Sequence, residues 1–117
     1  MTLVWARNTV SGAVSTVKWA ASSAGTVFDV LARVSGIALA ASGLAHLVAP
    51  KPFVLISKPF FPDETEKWVV VNGLSEAAIG LALIERRSRS VGVVALLAYG
   101  VYLAERIVRF AVDRMTR

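Results

Sequence analysis

The sequence predicts an all-α integral membrane protein: a bundle of three transmembrane helices preceded by an amphipathic N-terminal helix. Of its 117 residues 56% are hydrophobic, and the mean hydropathy is +0.62. A typical soluble domain is only about 45–50% apolar, even with glycine counted. The excess lies in three runs, 34–50, 68–84 and 90–104. Apolar blocks without alternation are typical of segments surrounded by lipid.

Charge and cysteine content narrow the classes of partner and chemistry. The net charge is +5 and there is no cysteine, which excludes disulfides, thiolate metal sites and cysteine nucleophiles within this chain. Basic residues at the ends of apolar runs are typical of contacts with anionic lipid head groups or with partner subunits. The residues expected to make such contacts are Arg86, Arg87, Arg89, Arg106 and Arg109. Since no aromatic-plus-basic stacking pattern is present, nucleic acid is not an expected partner.

Residues 1–33 form the first predicted domain, an amphipathic helix. Apolar residues recur at a spacing of seven, from Leu3 to Leu31, which places them on one face of a helix. Lys18 lies in the middle of the segment, so we do not expect it to span the membrane. Trp5 and Trp19 suit the depth of a membrane interface. The segment is predicted to lie on the membrane surface or against a partner protein.

Residues 34–117 form the second predicted domain, and its first spanning helix covers 34–50. Gly36, Ala40 and Gly43 make a stripe of small residues, which allows a second helix to approach closely in lipid. Ser42 and His46 lie on a neighbouring stripe. Pro50 is expected to end this helix, because proline supplies no backbone donor.

The connection that follows, residues 51–67, is predicted to be interfacial or re-entrant. It is too apolar for a free aqueous loop and too interrupted by proline to span. Either Asp63 or Thr65 is expected to cap the next helix, since both side chains can accept from free backbone N–H groups.

The second spanning helix is predicted from about Thr65 to Glu85. The spacing places Asn72 and Glu76 on one face, which must look into a bundle because these groups are costly in lipid. A second stripe of small residues lies beside that face: Gly73, Ala77 and Gly80.

A short basic hairpin then leads to the third spanning helix, predicted over 90–112. Gly92 and Gly100 are its expected contact points. Tyr99, Tyr102 and the arginines Arg106 and Arg109 share one side. Glu105 and Arg109 are four residues apart, in the order that favours an ion pair. Basic residues are almost evenly divided between the two sides, so the positive-inside rule gives no orientation.

Glu76 is the strongest candidate for function. A carboxylate within an apolar span has a high free-energy cost, so such residues usually have a functional role. Glu76 could relay protons, bind a cation or hydrogen-bond a quinone. The alternative is a structural glutamate that fixes the helix register. His46 is the only histidine, so a metal site is not expected. Since His46 lies near a helix end and Glu76 at mid-span, contact between them requires an offset of the two helices. Asn72, Tyr99 and Tyr102 complete the candidate ligand- or proton-handling residues.

Two spans and their connection resemble the DoxX-like family of small bacterial membrane proteins. The resemblance covers roughly residues 33–110 and is carried by Gly43-Leu44-Ala45-His46-Leu47, Pro59-Phe60-Phe61-Pro62 and Asn72-Gly73-Leu74-Ser75-Glu76. It implies a multi-pass protein of the bacterial plasma membrane that is similar to subunits of quinone-linked oxidoreductases. The family's usual form has four helices, whereas three spans are predicted here.

The leading functional hypothesis is a non-catalytic accessory or scaffolding subunit of a larger membrane complex, of respiratory or redox type. Small-residue stripes on several faces offer more helix-contact surface than three helices can cover among themselves. The expected partners, besides lipid, are therefore further copies of the chain in a homo-oligomer or other membrane subunits. No nucleotide loop, nucleophile elbow or zinc motif predicts an activity of the chain's own. The first alternative is a quinone- or proton-handling subunit that uses Glu76, with quinone as the one conceivable cofactor. The second alternative is a small transporter or channel.

Overall fold

A computed structural model of the protein describes residues 2–117, and every regular element in that range is helical. The helices are α1 (Thr2–Val48), α2 (Pro50–Ser57), α3 (Thr65–Ile84) and α4 (Arg89–Met115), with a 3₁₀ turn over Arg86–Ser88. Three helical segments, Leu3–Val48, Thr65–Ile84 and Arg86–Met115, are long and apolar enough to cross a membrane. The all-α class and the three candidate spans are therefore confirmed.

The first helix differs from the prediction. α1 continues through position 34, where the sequence suggested that an amphipathic helix ends and a separate spanning helix begins. No proline interrupts residues 2–49, and a glycine such as Gly12 or Gly25 costs a helix only about 1 kcal/mol. The backbone hydrogen bonds consequently continue along the segment. The chain divides into two compact units, of which the first ends at Leu31 and the second runs from Ala32 to Arg117.

In the first unit, the described side chains are almost all exposed. Leu3, Val10 and Val17 of the apolar face are each more than half exposed, and so are Trp5 and Trp19. This unit therefore supplies no cover of its own for its apolar face.

In the second unit, α1 and α3 meet along their small residues. A Cβ on Gly36 would lie 2.7 Å from the carbonyl oxygen of Gly80, and a Cβ on Gly80 would lie 2.5 Å from the backbone nitrogen of Ala40. Gly43 lies in the same way against the backbones of Gly73 and Ala77. We call this contact the glycine seam. Both predicted stripes of small residues pack against each other, as expected for helices in lipid.

The contact of α3 with α4 uses one of the two glycines that the sequence suggested. A Cβ on Gly92 would lie 2.9 Å from the backbone nitrogen of Leu83, whereas on Gly100 it would meet nothing within 4 Å outside the backbone of its own helical turns. Gly92 is a contact point, and Gly100 makes no such contact within residues 2–117. Leu83 and Val69 of α3 are among the most buried side chains.

The connection between α1 and α3 is more ordered than predicted. Pro50 follows the end of α1, as expected, but it also opens the short helix α2. A proline fits the first turn of a helix because its missing N–H would have no intrahelical partner there. The residue before α3 is Glu64, which has a left-handed backbone (φ 55°) and makes no side-chain cap. The predicted capping by Asp63 or Thr65 was therefore wrong; the Thr65 hydroxyl instead donates to the carbonyl oxygen of Phe61.

Candidate functional site

Three helices each contribute polar side chains one turn apart to a common interior site. Helical neighbours at a spacing of three or four share a face, and this holds for Ser42 and His46 of α1, for Asn72 and Glu76 of α3, and for Tyr99 and Tyr102 of α4. All five residues predicted as ligand- or proton-handling candidates lie together: His46, Asn72, Glu76, Tyr99 and Tyr102. We call these five residues the Glu76 cluster.

Glu76 is the centre of the cluster, and both of its carboxyl oxygens are engaged. The Ser42 hydroxyl donates to Oε1 at 2.8 Å, and the Tyr99 hydroxyl donates to Oε2 at 2.6 Å. The Glu76 side chain is only 12% exposed. Two hydroxyl donors from two different helices thus offset much of the cost of placing a carboxyl group in the interior.

His46 faces the same carboxyl group, and its proton positions follow from its partners. Nδ1 lies 2.7 Å from the carbonyl oxygen of Ser42. Because a carbonyl oxygen only accepts, Nδ1 carries a hydrogen. Nε2 lies 3.7 Å from Oε2 of Glu76. This distance is too long for a hydrogen bond, but it is short enough for the ring nitrogen and the carboxyl group to interact electrostatically.

The offset between helices that this contact requires comes from the glycine seam. A Cβ on Gly73 would lie 2.6 Å from the Cβ of His46. The bare backbone at Gly73 therefore lets His46 lie directly on α3. On its other face, the imidazole stacks on the ring of Phe53 from α2, with centroids 3.8 Å apart.

A second hydrogen bond extends the cluster toward the end of α4. The Tyr102 hydroxyl donates to Oδ1 of Asn72 at 3.0 Å, and Asn72 is only 4% exposed. Tyr102 also packs on Phe61 and Trp68, with ring centroids 5.9 and 6.3 Å away. These rings form an aromatic wall beside the polar residues.

A cavity of about 170 Å³ opens beside the cluster. His46, Asn72, Glu76 and Tyr99 supply its polar side, and the apolar side chains of Ile56, Leu103 and Ile107 supply much of the rest. A few convergent polar groups in an otherwise apolar concavity are typical of small-molecule sites. Across residues 2–117, no group of three or more histidine and carboxylate side chains could hold a metal ion.

The five arginines predicted to contact lipid or partners lie in different settings. Arg86 and Arg87 lie in the exposed 3₁₀ turn. Arg89 is only 6% exposed, and its guanidinium donates to the carbonyl oxygens of Leu83 and Ile84 at 3.0 and 3.4 Å. Arg89 thus caps the C-terminal end of α3, which leaves little of it for lipid or a partner.

Arg106 and Arg109 lie near the other end of α4. The guanidinium of Arg109 pairs with Glu105 at 2.6 Å, as the spacing predicted. Arg106 lies over the rings of Phe61 and Trp68, 5.0 and 5.6 Å from their centroids. Its Nε is buried without a hydrogen-bond partner in the described chain. Arg106 also lines the cavity beside the Glu76 cluster.

Sequence reasoning did not assign Phe53, Phe61 and Trp68 to the site. Phe53 lies in a segment predicted to be irregular, so its contact with His46 had no helical spacing to reveal it. Ser42 was placed on the stripe of His46, and that spacing was the available signal for its bond to Glu76. Phe61 lies in the connection before α3, and Trp68 lies near the start of α3. The connection has no regular spacing from which their contact could have been predicted.

Comparison with known proteins gives one finding. A family model described as a domain of unknown function (DUF8561) matches residues 35–117. The match includes the glycine seam and the whole Glu76 cluster. No curated protein and no solved structure matches the chain.

Proposed function

The chain belongs to the DUF8561 family, and from the Glu76 cluster we propose that it is a multi-pass membrane protein that binds a quinone-type head group and handles a proton beside it. In this proposal, the three apolar helices insert into a bilayer, which is the bacterial plasma membrane if the DoxX-like resemblance holds. The observation that carries the proposal is the Nε2–Oε2 pair of His46 and Glu76, 3.7 Å apart at the edge of a cavity.

The insertion of the helices explains why the polar groups are collected inside. In the second unit, α4 exposes Val94, Leu97 and Val101 by 66–70%, as lipid-facing residues would be. The carboxyl and imidazole groups lie instead on inner faces, where hydroxyl groups meet them. Intramembrane ionisable residues in such positions mark proton or substrate sites by default.

The size and lining of the cavity favour a single ring. A volume of about 170 Å³ is below the range of about 300–1,000 Å³ for drug-sized ligands. A quinone presents carbonyl oxygens that accept hydrogen bonds. The Tyr99 hydroxyl donates to Glu76 in the structure, and in this proposal it turns to a quinone oxygen when the ligand binds. Ile56, Leu103 and Ile107 offer the apolar contact that the ring and the start of its tail need.

Binding of decylubiquinone to the chain in lipid nanodiscs tests the proposal. Trp68 belongs to the aromatic wall, and quinones quench tryptophan fluorescence. Replacing Trp5 and Trp19 with phenylalanine leaves Trp68 as the one reporter. We expect saturable quenching that is weakened about tenfold by Glu76→Gln, because this substitution removes the carboxyl group that orients the Tyr99 hydroxyl and the His46 ring at the cavity.

The matched control is Glu66→Gln, which removes a carboxylate from the exposed first turn of the same helix. It should leave the affinity within about twofold, below the effect of one hydrogen bond. Quenching that does not saturate, or that responds equally to the two substitutions, would refute quinone binding at the cluster.

An accessory role in a larger membrane complex is the second candidate, and the first unit favours it. Its apolar face, with Leu3, Trp5 and Trp19 exposed by 71–85%, suits cover by lipid or by another subunit. The small-residue stripes are a weaker argument for partners, because the stripe of α1 packs on the stripe of α3 within the chain. Gentle native purification followed by mass spectrometry tests this role: stoichiometric membrane subunits would support it, and the chain alone would count against it.

A further inference from the structure

A second cavity, of about 480 Å³, lies where the C-terminal part of α4 meets the segment that follows α2. Its lining carries five cations, namely Lys58, Arg106, Arg109, Arg114 and Arg117, and one carboxylate, Asp113. We call it the basic basin. We propose that the basic basin binds the phosphate group of an anionic ligand. The basin contains no residue of the Glu76 cluster, although it shares Phe60 and Arg106 with the cavity beside that cluster.

The charges of the basin are only partly matched. Arg109 is paired with Glu105 at 2.6 Å, and Asp113 offers a second carboxylate. With one charge matched by Glu105 and one by Asp113, three of the five positive charges remain in excess. Cations that surround a concave site raise the local concentration of anions, and guanidinium groups match phosphate oxygens with paired hydrogen bonds.

Arg106 gives the basin a fixed donor. The aromatic rings of Phe61 and Trp68 hold its guanidinium by their faces, and its Nε is buried with no acceptor in the described chain. Because Nε has no exposed surface, a phosphate in the basin would meet the terminal nitrogens of the guanidinium, which lines the basin. Arg106 is pre-oriented for that contact because its ring contacts restrict its rotamers.

The walls of the basin suit an amphiphile as well as a free anion. Phe60 and Phe110 pack together with centroids 5.0 Å apart and connect the segment after α2 to α4. Arg114 lies over the Phe110 ring at 5.3 Å. Cations above an apolar wall at the end of a spanning helix match a phosphate with an acyl chain beside it, whereas the cations alone would serve free phosphate.

The experiment measures phosphatidylglycerol binding to the full chain by native mass spectrometry, with phosphatidylcholine as the neutral lipid. The test variant Lys58→Gln/Arg114→Gln changes two exposed residues, so it should still fold. The control Arg7→Gln/Lys51→Gln removes the same charge, also from one arginine and one lysine, at exposed positions that do not line the basin. We expect the test variant to bind phosphatidylglycerol about tenfold more weakly and the control to change affinity by less than about twofold.

A second arm identifies the source of the phosphate. If millimolar inorganic phosphate raises the melting temperature of the unsubstituted chain and displaces phosphatidylglycerol, free phosphate groups bind; if it does neither, the lipid is the ligand. Equal losses in the two double variants would mean general electrostatic attraction and would overturn the proposal. The proposal would also be overturned if both lipids bind equally, neither variant changes their binding, and phosphate has no effect. An acidic protein segment would then be the next ligand to test.

Discussion

His46 and Glu76 belong to different helices, yet Nε2 of the imidazole lies 3.7 Å from Oε2 of the carboxyl group. The other imidazole nitrogen, Nδ1, is held by the carbonyl oxygen of Ser42 at 2.7 Å. The two ring nitrogens therefore have different partners. Ser42 fixes the orientation of the ring and the hydrogen on Nδ1, and Nε2 faces Glu76.

The first prediction concerns this arrangement of hydrogens. Because His46 is the only histidine, histidine labelled with ¹⁵N gives one pair of ring signals. We expect Nδ1 to be protonated, and we expect Glu76→Gln to shift the Nε2 signal more than the Nδ1 signal, since the amide keeps the shape but loses the carboxyl proton site. Nitrogen NMR of the chain in lipid measures both.

Glu66→Gln serves as the control for that spectrum, because Glu66 lies on the same helix but is exposed. It should move neither signal. A neutral ring with its hydrogen on Nε2 would contradict the assignment, because Nδ1 would then face the carbonyl oxygen of Ser42 without a hydrogen.

The second prediction concerns the glycine seam. Gly43→Ala and Gly80→Ala place a methyl group against the backbone of the facing helix, and overpacking of this kind costs typically about 1–3 kcal/mol. Both variants should unfold at lower denaturant concentration in mixed micelles. Circular dichroism at the helix band follows the transition.

Gly100→Ala is the matched control, because the added carbon meets nothing within 4 Å outside the backbone of its own helical turns. It should be neutral or stabilising by up to about 1 kcal/mol, since alanine is the better helix former. Equal destabilisation at Gly43 and Gly100 would show that close packing at the seam does not determine the result, because alanine by itself favours the helix at both positions.

The seam and the cluster illustrate how far sequence reasoning reaches in this chain. The spacings of Gly36 with Gly43 and of Asn72 with Glu76 identified the faces that are suited to helix contact, because a helix fixes which residues share a side. The spacings could not predict which of these faces pack against each other. The offset that brings His46 to Glu76 depends on the depth to which Gly73 lets the helices approach, and that is a tertiary property.

Predictions failed where local signals compete. Pro50 ends α1, and it also suits the first turn of another helix. The prediction from Pro50 covered only the end of a helix, although this proline also marks the start of α2. Nor did the pattern reveal that Arg89 turns inward to the last carbonyl groups of α3, since basic residues at helix ends are usually exposed to lipid head groups.

The third prediction concerns that cap. Arg89→Gln removes donors from the carbonyl oxygens of Leu83 and Ile84 at a buried position, and losing hydrogen bonds from a charged donor costs about 1.5–3 kcal/mol. The variant should unfold at correspondingly lower denaturant concentration. Arg87→Gln, an exposed neighbour with the same loss of charge, should change stability by less than about 0.5 kcal/mol. Similar losses in the two variants would argue against the cap.

The fourth prediction concerns the division of the chain after Leu31. The unit Ala32–Arg117 contains the glycine seam, the Glu76 cluster and the basic basin, and the family match begins at residue 35. A chain that starts at Ala32 should therefore insert into membranes and give the same His46 nitrogen signals as the full chain. The remaining α1 segment, residues 32–48, is near the lower limit of about 17–25 residues for a spanning helix. A chain that starts at Pro50 lacks Gly36 and Gly43, so it should lose the helical packing. If the chain that starts at Ala32 is degraded or its nitrogen signals shift, residues 1–31 contribute to the fold of the second unit.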